Sequence, residues 1–381
     1  MVSQNIVSPD DQSATFVELF FDIVFVFSVT QVVQLIHHDL MWETVGQGIL
    51  VFWMVWWAWT QFTWALNAAD TTNQLVEIGT LIATGVAFFM AAALPDAFHG
   101  RELEFAIPYV LVRVIGLGLY AWVASADASQ AAAVRKFGAV SLSGLVAVLI
   151  GGLAGGTLQY VFWGLAIGLD IAAAVIGGRM EGWNIHPEHF GERHGLFVII
   201  ALGETLIIAA GGVAGVEWTT TLIGVAILAV GTSCGLWWSY FAHAKQKLDH
   251  ALENCRGAVQ SMMGRDVFSL AHFPMLFGVI AYAVAVEEAV LHPNDPLSVG
   301  GRLALAAGLV LFVGGMAGAI WRATSLILIS RIAVIGVTGI AILGLAGVDP
   351  IVTLAIAFGG VVVIGVLEIS AYRRTSKEVA A

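Results

Sequence analysis

Of 381 residues only 11% are charged, and the apolar types make up 59%. A soluble chain carries about 25% charged residues, so half of the polar skin is missing. A soluble enzyme and a nucleic-acid binder are excluded, and the expected class is an all-α integral membrane protein. The net charge of −11 comes from acids spread singly over termini, connectors and helix ends, with no acidic tail that would mark a basic partner. Cys234 lies in an apolar run and Cys255 in a polar stretch, so no disulfide framework follows. The first fifteen residues hold no basic residue ahead of the first apolar run, which argues against a cleaved secretory signal.

A helical span needs about 20 apolar residues. Windows of that length predict twelve, in chain order 16–36, 45–66, 74–94, 103–124, 135–153, 157–178, 192–213, 219–241, 266–289, 303–320, 324–346 and 350–370. The runs are continuous and rich in Gly and Ala, without the period of two residues that a β-barrel requires. The longest polar stretch, 242–265, is expected as a cytoplasmic loop. With the N-terminus inside, the inside connectors and C-terminus hold twelve Lys and Arg, among them Arg135, Lys136, Arg179 and Arg193, against Arg101 and Arg302 outside. That bias predicts both termini in the cytoplasm and supports an even number of spans.

Twelve spans divide into halves, 1–178 and 179–381. Trp56-Trp57 recurs as Trp237-Trp238, Glu18 pairs with Glu192, and Asp170 pairs with Glu368. The offset grows along the chain from 174 to 198, as loop insertions would make it. Two parallel six-helix repeats would produce this pattern, and chance matches in apolar sequence remain the alternative.

Several polar residues fall where hydrocarbon is expected. In the first span Glu18 and Asp22 stand at i and i+4, on one helix face about 6 Å apart along the axis. Two carboxylates that close suit a proton or cation site; an acidic first turn complementing the helix dipole is the bland reading. Glu204 sits about 18 Å up the seventh span from Glu192, near mid-bilayer, where an acid is a functional-site hypothesis by default. Arg113, in the middle of span four, needs a carboxylate such as Asp170 or Glu368, or an anionic ligand. Glu204 is expected to face the bundle interior, with Arg113 as a candidate counter-charge. Arg331 is placed to snorkel to the interface. His186, His189 and Glu192 sit three apart, a spacing that a metal could use, but no zinc pattern matches; surface histidines are the plainer reading. His272 reads as a hydrogen-bonded core histidine. Trp53, Trp56, Trp57, Trp59 and Trp64 read as an interface belt, repeated by Trp237, Trp238 and Tyr240. GGLAGG at 151–156 lacks the Lys of a phosphate loop and reads as a helix end. No cofactor is called for.

The motifs VELFFDIVFVFSVTQ, WWAWTQFTW followed by Asn67 and Asp70, HFGERHGLFVIIALGET and WWSYF resemble the bacterial low temperature requirement protein A family, in the same order and over nearly the whole chain. The resemblance implies a polytopic inner-membrane protein linked to growth in the cold, and supplies no established substrate or reaction. Its motifs coincide with Glu18, Asp22, Asn67, Asp70, Glu192, Arg193 and Glu204. The leading expectation is a secondary transporter of a small molecule or ion, with proton coupling as one option, whose site draws on Glu18, Asp22, Asp70, Arg113, Asp170, Glu192 and Glu204. The alternatives are a membrane enzyme acting on a lipid or isoprenoid through His186, His189 and Glu192, and a non-catalytic membrane component. Membrane lipids are the one partner class expected, and nucleic acid is not.

Overall fold

The computed structural model describes residues 5–9, 12–214 and 216–379, and side chains only as far as 370. Its helices are α1 (Phe16–His38), α2 (Trp42–Ala68), α3 (Gln74–Ala93), α4 (Glu102–Ala124), α5 (Ala128–Ala154), α6 (Gly156–Gly177) and α7 (Pro187–Val213). They continue as α8 (Thr220–Glu253), α9 (Gly257–Leu291), α10 (Val299–Thr324), α11 (Ile329–Gly344) and α12 (Pro350–Val379). Eleven of the twelve are long and apolar enough to cross a membrane. No β-ladder beyond one bridge, Val7 with Ala69, occurs among the described residues. The chain is an all-α, multi-pass membrane protein.

The ends of these helices follow local chemistry. Thr15 precedes α1, and the Glu18 carboxylate accepts from both the Thr15 N–H and its hydroxyl, each at 3.0 Å. Asn73 caps α3, and Asp127 caps α5 by accepting from the Gln130 N–H at 2.8 Å. The expected helix end at 151–156 is a one-residue reversal between α5 and α6. Gly155 and Gly156 take φ of 62° and 53°, and at Gly155 ψ is −178°, a combination that side chains bearing a Cβ avoid.

Two stretches depart from the sequence reading. The polar segment 242–265 is not an open loop: α8 runs through a π-turn at Tyr240–Ala244 to Glu253, and α9 restarts at Gly257. Ala244, Leu248 and Leu252 repeat every four residues and are fully buried, so this is an amphipathic helix whose polar side lowered its mean hydropathy. The eleventh span shortens to the 16 residues of α11, about 24 Å, under the roughly 30 Å of hydrocarbon. Ser325, at φ 59°, ends the preceding helix, and the backbone stays irregular up to Leu328.

The chain divides into two compact units. One comprises the chain up to Phe197 together with Asp249–Leu270, and is organised around α2, which touches α1, α4 and α6 and is buried over most of its length. The other comprises Val198–Leu248 and everything from Ala271 onward. There α9 and α10 cross at Gly278 and Gly308, where a Cβ on Gly278 would stand 2.7 Å from the Gly308 carbonyl oxygen. Small residues at a crossing let helix backbones touch in a lipid environment, where packing drives association.

Candidate functional site

On α1, Glu18 and Asp22 face one way because they are four residues apart; on α7, His189 and Arg193 have the same spacing. The two pairs meet. Arg193 Nη1 stands 2.8 Å from Glu18 Oε1, and Nη2 donates to Asp22 Oδ1 at 2.6 Å. His189 Nε2 lies 3.1 and 3.2 Å from the two Glu18 oxygens. The Trp59 indole of α2 donates to Asp22 Oδ1 at 2.7 Å, and the Arg193 guanidinium sits over its ring, 5.7 Å from the centroid. All four ionisable side chains are fully buried.

The hydrogen bonds of Asn67 fix the proton on His189. Asn67 Oδ1 accepts from the His186 backbone N–H at 2.9 Å, and its Nδ2 donates to the His186 carbonyl at 3.0 Å. That two-point clamp orients the amide, so Nδ2 is also what faces His189 Nδ1 at 2.9 Å. An amide nitrogen only donates; Nδ1 therefore accepts, and the ring proton is on Nε2, pointing at Glu18. The cluster then contains two carboxylates and one cation.

Its oxygens are not equally served. Glu18 receives the Thr15 N–H, the Thr15 hydroxyl and His189, and Oε1 is ion-paired with Arg193 Nη1, which makes no hydrogen bond among the described residues, so both carboxylate oxygens are engaged. Asp22 Oδ1 receives Trp59 and Arg193, while no donor among the described residues reaches Asp22 Oδ2. The surplus negative charge and the open oxygen coincide on Asp22. A polar recess of about 350 Å³ is lined by Gln12, His186, Glu188, His189, Glu253 and Arg256.

A second cluster lies on the other side of α2. Gln61, two positions and hence about 200° round the helix from Trp59, accepts from Arg113 Nε. Arg113 Nη1 donates to the Tyr109 hydroxyl at 2.6 Å and to Asp170 Oδ2 at 3.3 Å; Nη2 donates to the Ser141 hydroxyl at 2.5 Å and to Asp170 Oδ1 at 3.0 Å. Every nitrogen of this guanidinium has a partner and the charges cancel, which describes a structural joint between α2, α4, α5 and α6.

The remaining expected residues disperse. Asp70 turns the chain between α2 and α3 by accepting from the Thr72 N–H and hydroxyl. Glu192 accepts from the Ala14 N–H and ties the N-terminal arm to α7. Glu204 belongs to the other unit and is buried at 3% exposure, beside Thr205, whose hydroxyl bonds that of Ser233. Arg113 is committed to Asp170 and is not the counter-charge suggested for Glu204. Glu368 pairs with Arg331, which is buried rather than snorkelling, while Ser239 and His243 also approach the carboxylate. His189 is buried rather than at the surface, and no group of His, Cys, Asp and Glu suited to a metal occurs among the described residues. His272 is a core histidine, 2.7 Å from the Tyr240 hydroxyl. The tryptophans of α2 form no interface belt. Trp56 and Trp59 are fully enclosed, and Trp56 and Trp64 both bond Ser269 in the π-turn Gly264–Leu270 of α9. A belt needs one ring edge in water; here the indole N–H groups of Trp56, Trp59 and Trp64 find protein acceptors instead. Arg193, Trp59 and Gln61 were missed as site residues. The matched spacing of 18/22 and 189/193 was the signal that could have paired the first of these with Glu18 and Asp22.

The sequence signature described as bacterial low temperature requirement A protein (LtrA) matches residues 13–367. The chain belongs to the LtrA family. An uncharacterised protein of Rhizobium meliloti (strain 1021) is 28% identical over 316 residues, covering 80% of this LtrA chain and 76% of its own. No solved structure matches.

Proposed function

We propose that this LtrA protein is a proton-coupled secondary transporter of the inner membrane in which Asp22 carries the exchangeable proton. The observation that carries the reading is the buried cluster of two carboxylates and one cation with its open oxygen on Asp22. An uncompensated charge in such a place costs several kcal/mol, so a cation must neutralise it. A metal ion would need several oxygen ligands, and Glu18 has none to spare, whereas a proton needs only Asp22 Oδ2. The polar recess that His189 and Gln12 of the N-terminal arm both line is the proposed water route to the cluster. In this reading both termini are cytoplasmic, and the link to growth in the cold reflects the solute moved.

The two proposed six-helix halves are supported by one parallel. Asp170 and Glu368, matched in the repeat, each pair with a buried arginine. The lipid-directed enzyme has no comparable support: His189 and Glu192 serve Glu18 and the Ala14 N–H.

The test uses proteoliposomes with a lumenal pH dye, challenged with a deproteinised bacterial cytosol extract. Wild-type protein is expected to shift lumenal pH and Asp22→Asn to leave it unchanged. Equal responses from the two, or none from either, overturn the proposal.

A further inference from the structure

On the lipid-facing side of α4 and α5 lies an open groove of about 840 Å³. One wall is Val114, Gly118, Ala121 and Ser125, spaced one helical turn apart, and the other is small residues of α5 from Ala128 to Ala139. Small residues on a membrane helix usually mark a site where another helix packs. A Cβ on Gly118 would meet nothing within 4 Å among the described residues. Arg135 lies in the α5 wall, exposed and with no ion pair or hydrogen bond among the described residues, and Lys136 follows it. Arg101, which lines another surface recess between α3 and α4, is instead matched by Asp96 and Glu104 at 3.6 and 3.4 Å. Asp127, the acid within the α4–α5 turn, is occupied by the Ser129 hydroxyl and the Gln130 N–H.

Depth sets what can occupy the groove. Helix α5 has 27 residues, about 40 Å, and the hydrocarbon takes about 30 Å. Arg135 is about 10 Å along the helix from Ala128, and the uncharged run 137–154 that follows Lys136 spans about 27 Å, close to the hydrocarbon thickness, which puts Arg135 at the boundary between headgroups and chains. Below it Gly138, Ala139 and Leu142 face Val114 and Gly118 as an apolar trough. We propose that this groove is a binding site for an anionic phospholipid, with one acyl chain along the trough and the phosphate on Arg135. The unmatched positive charge at headgroup level selects an anionic lipid over a zwitterionic one and over an apolar helix.

The test reconstitutes the protein with equal amounts of phosphatidylglycerol and phosphatidylcholine of the same chain length, and reads retained lipid by native mass spectrometry. Phosphatidylglycerol is expected to be retained about fivefold over phosphatidylcholine, the worth of one basic residue at an anionic surface. Arg135→Gln should abolish the preference and Arg135→Lys should keep it. Gly118→Phe, which projects into open space, should lose the retained lipid of either kind without changing the melting temperature. No preference in the wild type, or the same preference in Arg135→Gln, overturns the proposal. So does a dimer that Gly118→Phe abolishes, because the groove would then seat a second copy of this chain.

Discussion

Asp22 and Asp170 are both almost wholly buried and both bonded to an arginine, yet replacing each with asparagine should have opposite consequences. Asp170→Asn would leave the Arg113 guanidinium as a lone buried cation. Tyr109, Ser141 and Gln61 can solvate it but carry no charge. Removing one partner of a buried pair costs about 3–5 kcal/mol. Asp22→Asn would leave Glu18 against Arg193, one charge of each sign, and the new amide oxygen could still accept from Trp59 and Arg193. The expected loss is about 1 kcal/mol or less, the margin between a charged and a neutral acceptor. Thermal unfolding in one detergent, followed by tryptophan fluorescence, compares the two variants directly. Asp170→Asn should melt several degrees below the wild type, and Asp22→Asn within about a degree or two of it. If Asp22→Asn fell as far as Asp170→Asn, the count of one cation for two carboxylates would be wrong.

Arg193→Gln would leave the Glu18 carboxylate without its cation and should cost about 3–5 kcal/mol in the same unfolding assay; an unchanged melting temperature would contradict the pairing. Gly155→Ala forces a Cβ into the reversal between α5 and α6 and should cost about 1–3 kcal/mol; an unchanged melting temperature would contradict that backbone geometry. The Ser129 hydroxyl and the Gln130 N–H hold the Asp127 carboxyl below its ordinary value. A lowered folded value gives stability above the unfolded carboxylate value that is lost as pH falls through the folded one. Asp127→Ala should therefore melt lower than the wild type at neutral pH, with the gap closing on acidification; a gap that widened would contradict the cap. Nitrogen chemical shifts of His189 should report the proton on Nε2 and an unprotonated Nδ1, and a protonated Nδ1 would undo the Asn67 argument.

Membrane class and nearly every helix were legible because hydropathy over 20 residues is a one-dimensional property. What hydropathy hid was the helical character of 242–265, where Ala244, Leu248 and Leu252 keep a period that polar neighbours dilute. Individual acids such as Glu18 and Asp22 could be selected from sequence, since a carboxylate in an apolar run is costly wherever it points. Their partners could not, because pairing depends on which helices are neighbours. Asp170 was one of two candidates for Arg113, and Arg193 was visible only as part of a motif. The α2 tryptophans misled for a related reason: an indole-rich helix end reads the same at a membrane interface and in a core that offers its N–H groups acceptors such as Ser269 and Asp22.

The most direct measurement of the central claim is infrared spectroscopy of the purified protein across a pH titration, because a protonated carboxyl has a carbonyl stretch that a carboxylate lacks. The buried cluster should contribute one such band at neutral pH, absent in Asp22→Asn and retained in Asp170→Asn. A spectrum in which Asp22→Asn removes no protonated-carboxyl band would mean that both carboxylates are ionised, and Asp22 would not be the proton carrier.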